Sequence, residues 1–116
     1  MDNPLEIVLR GIPASDALER YIGEEVRRLD GIYGRIRRCQ VVAEAQQAEK
    51  AQSVRLAVRL IITLPGTEVV VNREHGSDVY AAVREAFAAA GRQIKDHMRR
   101  SDRAPRSRNG TPNARG

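Results

Sequence analysis

The chain has no tryptophan, one phenylalanine and three tyrosines, so its core has to be built from aliphatic side chains and alanine. A single cysteine, Cys39, excludes an internal disulfide and points to a reducing, cytoplasmic setting. Two histidines, His75 and His97, supply too few ligands for a metal centre, and Cys39 falls on a predicted core face. Structural or surface roles are expected for all three. There is no glycine-rich phosphate loop and no nucleophile elbow. No apolar run approaches the roughly 20 residues that cross a bilayer. The start, "MDNPLEIVLRG", lacks the basic and apolar stretches of a signal peptide. No catalytic residue, cofactor, metal, membrane or small-molecule substrate is expected.

What is present is charge, unevenly placed. From Arg92 onward, eight Arg and Lys face only Asp96 and Asp102, a net +6, whereas residues 1–91 carry twelve basic against thirteen acidic side chains. A nearly neutral body therefore ends in a cationic arm. Such a charge distribution suits a polyanionic partner, nucleic acid before an anionic membrane, and says nothing about fold. Part of the cluster has another cause, since Lys95, Arg99 and Arg100 complement the negative end of a helix dipole. Arg103, Arg106 and Arg108, placed past the predicted helix, are not explained that way. Arg outnumbers Lys by eighteen to two, which favours planar phosphate-binding forks or reflects genome composition.

At 116 residues the chain makes one domain with a single layered core. Leu5, Ile7 and Leu9 alternate with Glu6, Val8 and Arg10, the pattern of a short strand stopped by "GIP". Ser15 is placed to cap a helix that Asp16 complements. Leu18, Tyr21, Ile22, Val26 and Leu29 form its apolar stripe, and Gly31 and Gly34 end it. "RRCQVVAEA" is a second strand, and "QQAEKAQ" a loop. In "SVRLAVRLIITL" the even positions from Val54 to Leu64 are apolar while Arg55 and Arg59 are odd. Pro65-Gly66 makes a tight turn, and "TEVVVNRE" returns. A last helix starts near Ser77 or Asp78, with Ser77 as the expected cap. Its core stripe is Val79, Tyr80, Val83, Phe87, Ile94 and Met98. Tyr80 and Phe87 read as core rather than as base-stacking platforms. Gly91 costs this helix about 1 kcal/mol against Ala.

The order β-α-β-β-β-α, with a right-handed parallel crossover and then an antiparallel meander, gives an α+β two-layer sandwich. Its four-stranded mixed sheet should carry both helices on one face. The domain is expected to span residues 1–100. Residues 101–116, rich in Pro, Gly, Ser, Asn and Arg, are expected to be a disordered basic tail.

Three stretches carry a resemblance: "ALERYIGEEVRRLDGIYGRI" at 17–36, "CQVVAEA" at 39–45, and "REHGSDVYAAVREAFAAAGRQIKDH" at 73–97. Over residues 5–98 the chain resembles the short form of the ribosome hibernation-promoting factors, also called ribosome-associated inhibitors or ribosomal subunit interface proteins. The resemblance implies a β-α-β-β-β-α fold similar to a double-stranded-RNA-binding domain. It also implies a non-enzymatic cytoplasmic protein that binds the small ribosomal subunit in the mRNA and tRNA channel, through basic side chains on ribosomal RNA, and silences idle ribosomes. Carried onto this chain, the matching cations are Arg27, Arg28, Arg92 and Lys95. Arg84, Arg99, Arg100, Arg103, Arg106 and Arg108 complete the expected RNA-binding set. Where the family carries lysines on its second helix, this chain has Glu85, Ala89 and Asp96. The residues also leave open an RNA-binding module for another structured RNA, or a regulator whose exposed sheet face docks an acidic protein through Arg55 and Arg59.

Overall fold

A computed structural model describes residues 5–47, 54–76 and 78–103. The elements are β1 (Leu5–Arg10), α1 (Asp16–Tyr33), β2 (Arg38–Gln47), β3 (Val54–Leu64), β4 (Thr67–His75) and α2 (Val79–Arg103). The sheet order is β1-β2-β3-β4. β1 runs parallel to β2, and the other neighbours are antiparallel. This is the expected α+β sandwich, with both helices on one face.

Alternation in β3 sets the two faces. Leu56, Val58, Leu60, Ile62 and Leu64 are buried, while Arg55 and Arg59 are exposed. The register carries that parity across the sheet. Leu60 sits opposite Val41 on β2 and Val71 on β4, and Ile62 opposite Cys39 and Val69. Over this layer lie Leu18, Ile22, Val26 and Leu29 from α1, and Val83, Phe87, Ala90 and Ile94 from α2. Among the described residues no polar or charged residue is buried, so nothing in the core competes with apolar burial.

The helix ends differ in part from the sequence reading. Ser15 does cap α1, its Oγ accepting from the Leu18 N–H at 3.2 Å. Gly31 does not end the helix; it lies inside α1, and Gly34 alone closes it. Gly34 adopts φ 69° and its N–H donates to the Asp30 carbonyl, a left-handed closure that a side chain would strain. α2 is capped by Asp78, whose Oδ1 accepts from the N–H groups of Tyr80 and Ala81; Ser77, the expected cap, lies outside the described residues. α2 continues to Arg103, so Arg103 lies on the helix and not past it. Tyr80, expected in the core, is 38% exposed. β2 extends through Gln47; the rest of the expected loop, like the tail from residue 104, lies outside the described residues.

Cys39 is 1% exposed, and burial pushes its thiol up from 9.0 to about 12 by disfavouring the thiolate. The native thiol should therefore resist thiol reagents at pH 8 and react once urea unfolds the chain. The raised folded-state value also has a sign. Its stabilising contribution is complete below pH 9.0 and is lost as pH rises towards about 12, because the unfolded chain gives up the proton first. Urea unfolding at pH 8 and pH 10.5 should show this loss in the wild type and less of it in Cys39→Ala.

Candidate nucleic-acid interface

Two contacts fix how the helices lie. The Tyr21 and Tyr80 rings meet edge to face, with centroids 5.3 Å apart. Further along both helices, the Tyr33 hydroxyl donates to the Gly91 carbonyl at 3.0 Å. A Cβ on Gly91 would stand 3.5 Å from a Leu29 methyl. Both contacts advance in the same chain direction, so α1 and α2 are parallel and their negative ends point the same way. Cations placed at that end are favoured by both dipoles.

α2 supplies most of them. Arg84, Arg92, Lys95 and Arg99 recur at intervals of eight, three and four, which keeps them on one side of the helix. All four are exposed. At 1.5 Å per residue the stripe is roughly 22 Å long. Arg100 is exposed on the side nearer β4. Among the described residues, Arg84, Arg92, Lys95 and Arg100 have no carboxylate within the 4.0 Å of an ion pair, and Arg99 reaches Asp96 only at 4.0 Å. These charges are therefore little neutralised within the described residues.

α1 is different. It carries Arg20, Arg27 and Arg28 against Asp16, Glu19, Glu24, Glu25 and Asp30, a net negative helix. Arg27 is exposed and folds over Gly23. Arg28 donates to Glu25 at 2.7 Å, and this hydrogen bond, then the Glu25 charge, raises its guanidinium above the ordinary value. Arg28 is thus partly committed within its own helix. Arg106 and Arg108 lie outside the described residues, and the side chain of Arg103 lies outside them too.

Sequence reasoning passed over two cations. Arg35 and Arg37 flank the buried Ile36 in the α1–β2 connection, and both are exposed. The connection is pinned: the Ile36 N–H donates to Asp30 Oδ1 at 3.3 Å, and the Arg37 N–H to the Thr63 carbonyl at 2.8 Å. The Tyr33–Gly91 hydrogen bond holds this corner beside α2. The signal for them is "GRIRRC", alternating basic residues between a helix-closing glycine and a strand.

The open sheet face has the opposite character. Arg10, Arg38, Arg55 and Arg59 share it with Glu6, Glu44, Glu68 and Glu74 by register, so it carries no net charge. Arg55 stands 3.9 Å from Glu74. A shallow hollow of about 640 Å³ there is lined by Val42, Ile61 and both signs of charge. An acidic partner gains little from it.

Among the described residues no group of three His, Cys, Asp or Glu could hold a metal. His75 Nε2 lies 2.9 Å from Glu85 Oε2 and ties the end of β4 to α2. No helix among the described residues is long and apolar enough to cross a membrane.

The profile of the family described as "Sigma 54 modulation protein / S30EA ribosomal protein" matches residues 5–102. A protein of Azotobacter vinelandii named "Ribosome hibernation promoting factor" is 30% identical over 86 residues, 74% of this chain and 74% of the relative. One of the same name from Pseudomonas putida is 28% identical over 86 residues, 74% of this chain and 78% of the relative. The crystal structure of the Thermus thermophilus Protein Y N-terminal domain matches with a TM-score of 0.65 at 26% identity, covering 82% of this chain and 98% of that one.

Proposed function

This chain belongs to the Sigma 54 modulation protein / S30EA ribosomal protein family, and from that premise we propose that it is a ribosome hibernation factor of the cytoplasm that occupies the mRNA and tRNA channel of the small subunit. The observation that carries this reading is the stripe of exposed, uncommitted cations on one rigid helix, Arg84, Arg92, Lys95 and Arg99. Arg100, Arg27 and the remaining donors of Arg28 extend it, as do Arg103 on the last turn and Arg106 and Arg108 in the basic tail. Arg35 and Arg37 widen it at the corner. Phosphates release condensed counterions when such side chains replace them, so affinity comes without a sequence code and falls with salt. Folded helices present the charges with little ordering cost, and structured RNA offers a matching surface of phosphates and 2′-hydroxyls. Occupation of the channel is the act itself; no bond is made or broken.

The test is sedimentation of the purified protein with ribosomal subunits through sucrose at 50, 100 and 200 mM salt. The protein should travel with the small subunit at the lowest salt and leave it progressively. Remaining at the top of every gradient rejects the reading. Binding to free duplex RNA but not to ribosomes transfers the protein to another structured RNA.

A further inference from the structure

β1 and β4 are the two edges of the sheet, and they are guarded differently. An edge strand exposes a row of unpaired backbone N–H and C=O groups, which template pairing with another chain unless something blunts the edge. β4 is blunted. Its end is tied to α2 through His75 and Glu85 at 2.9 Å. Arg73, opposite the buried Val58, puts an exposed charge on the helix side of the strand. β1 has none of these devices. Its register against residues 39–44 runs from Leu5 to Arg10 without a bulge. No proline or lysine interrupts it, and its helix side carries Leu5, Ile7 and Leu9. These three are only half-buried, while Cys39, Val41 and Ala43, opposite them on β2, are buried. The outer side of β1 is an unfinished edge of the core.

The strand is complementary to itself. When "LEIVLR" is set antiparallel to a second copy and centred on Val8, Glu6 falls opposite Arg10 of that copy, and Arg10 opposite its Glu6. Ile7 falls opposite Leu9, and Val8 opposite Val8. Paired positions differ by an even number, so like faces meet: the charges lie on the open face, and Ile7 and Leu9 on the helix side. Opposite charges directly across two strands are favourable and like charges are not. Both charges are available. Glu6 is engaged only by the Gln40 amide at 2.9 Å, and among the described residues Arg10 has no carboxylate within the 4.0 Å of an ion pair. β4 lacks this symmetry, because centring it on Val71 sets Glu68 against Glu74.

We infer that two copies of this chain join by antiparallel pairing of β1 with β1, about a two-fold axis at Val8. The two four-stranded sheets become one, with all the helices on the same face. Such a contact is isologous and closes on itself, since each copy has then used its one unguarded edge. Six residues on each side make a small interface, so the dimer is weak and depends on concentration. α2 packs on β3 and β4, away from the pairing edge, so its cations stay exposed in the dimer. The inference goes beyond the proposed ribosome binding and does not rest on it.

Sedimentation velocity on the full chain, from about 5 µM to about 1 mM, covers the range in which a weak dimer changes its occupancy. The wild type should pass from the mass of one chain to the mass of two. Glu6→Arg sets arginine against arginine at both ends of the pairing, and Arg10→Glu sets glutamate against glutamate. Each should weaken the dimer by roughly tenfold or more. An equimolar mixture of the two variants should dimerise again, because the arginines of one then face the glutamates of the other. Backbone hydrogen exchange should slow at residues 5–10 as the concentration rises, and stay unchanged in β4. Glu6 and Arg10 are exposed, so melting temperatures should barely move, and Arg92→Glu should leave the dimer as it is. A wild type that stays monomeric throughout the range overturns the inference. So does a dimer that survives both single variants, or one that their mixture fails to restore. Each of these results leaves the ribosome reading standing, since that is measured separately on the gradients.

Discussion

Leu60→Asp is expected to abolish the cooperative unfolding transition, while Ile61→Asp, one residue along, leaves a folded protein. Leu60 is fully buried at the centre of the sheet, between Val41 and Val71. Truncating a buried Leu costs about 2–5 kcal/mol through forfeited transfer energy and the cavity left behind. An unpaired carboxylate in an apolar layer adds several more, or takes up a proton to avoid them. A domain of this size has only about 5–15 kcal/mol in hand, so most or all of it is consumed. Ile61 points to the open face, half-buried beside Gln40 and Val70, where water still solvates a charge. Its replacement should lower the melting temperature by a few degrees. Thermal melts of both variants by circular dichroism measure this. A one-residue slip would exchange the two faces, so a stable Leu60→Asp with an unfolded Ile61→Asp would reverse the register.

That register was legible because β3 alternates without interruption and its odd positions include two arginines that cannot be buried unpaired. The end of α2 was not. Apolar positions stop at Ser101, which removes the packing signal, but continuation of a helix needs only backbone hydrogen bonds and tolerant residues. Gly31 illustrates the reverse error. A glycine inside a helix costs about 1 kcal/mol, and packing by Leu29 and Tyr33 on either side outweighs it. Of these two glycines, Gly34 and not Gly31 takes the left-handed backbone. For Tyr80 the helical spacing placed the residue in the core stripe and could not say that Tyr21, not the sheet, would be its neighbour.

The exposed cations of the proposed interface were legible residue by residue on α2 and less so elsewhere. Counting cations along the chain found Arg92, Lys95 and Arg99 because only Asp96 lies among them. The same count took no notice that Arg28 has a partner, Glu25, three residues earlier, a spacing that signals an ion pair on a helix. Arg35 and Arg37 escaped because they lie in a connection, and only the tertiary hydrogen bond of Tyr33 to Gly91 brings that connection beside α2. The neutrality of the open sheet face was equally hidden, since it emerges only when four strands are placed in register.

The double reversal Arg92→Glu with Lys95→Glu is expected to remove ribosome binding at physiological salt while leaving the fold intact. Both side chains are exposed on α2, and Glu is about as good a helix former as either, so the melting temperature should move little. Each phosphate that is no longer neutralised lowers the log–log salt slope by about 0.7–0.9. Two such phosphates therefore lower it by roughly 1.6. Over the twentyfold span from about 1 M salt, where the electrostatic advantage has faded, down to about 50 mM, that slope amounts to about a hundredfold in affinity. Repulsion between the new carboxylates and the phosphates adds to it. Reversing Arg10 and Arg59 on the open face is the matched control, with the same change in net charge on a surface that carries as many glutamates as arginines. Titrating fluorescently labelled protein with small subunits at several salt concentrations separates the two. A flattened slope for the α2 pair and a nearly unchanged one for the sheet pair locates the RNA-facing surface on α2. Equal weakening by both would mean that net charge alone attracts the protein, and that the stripe on α2 has no special place.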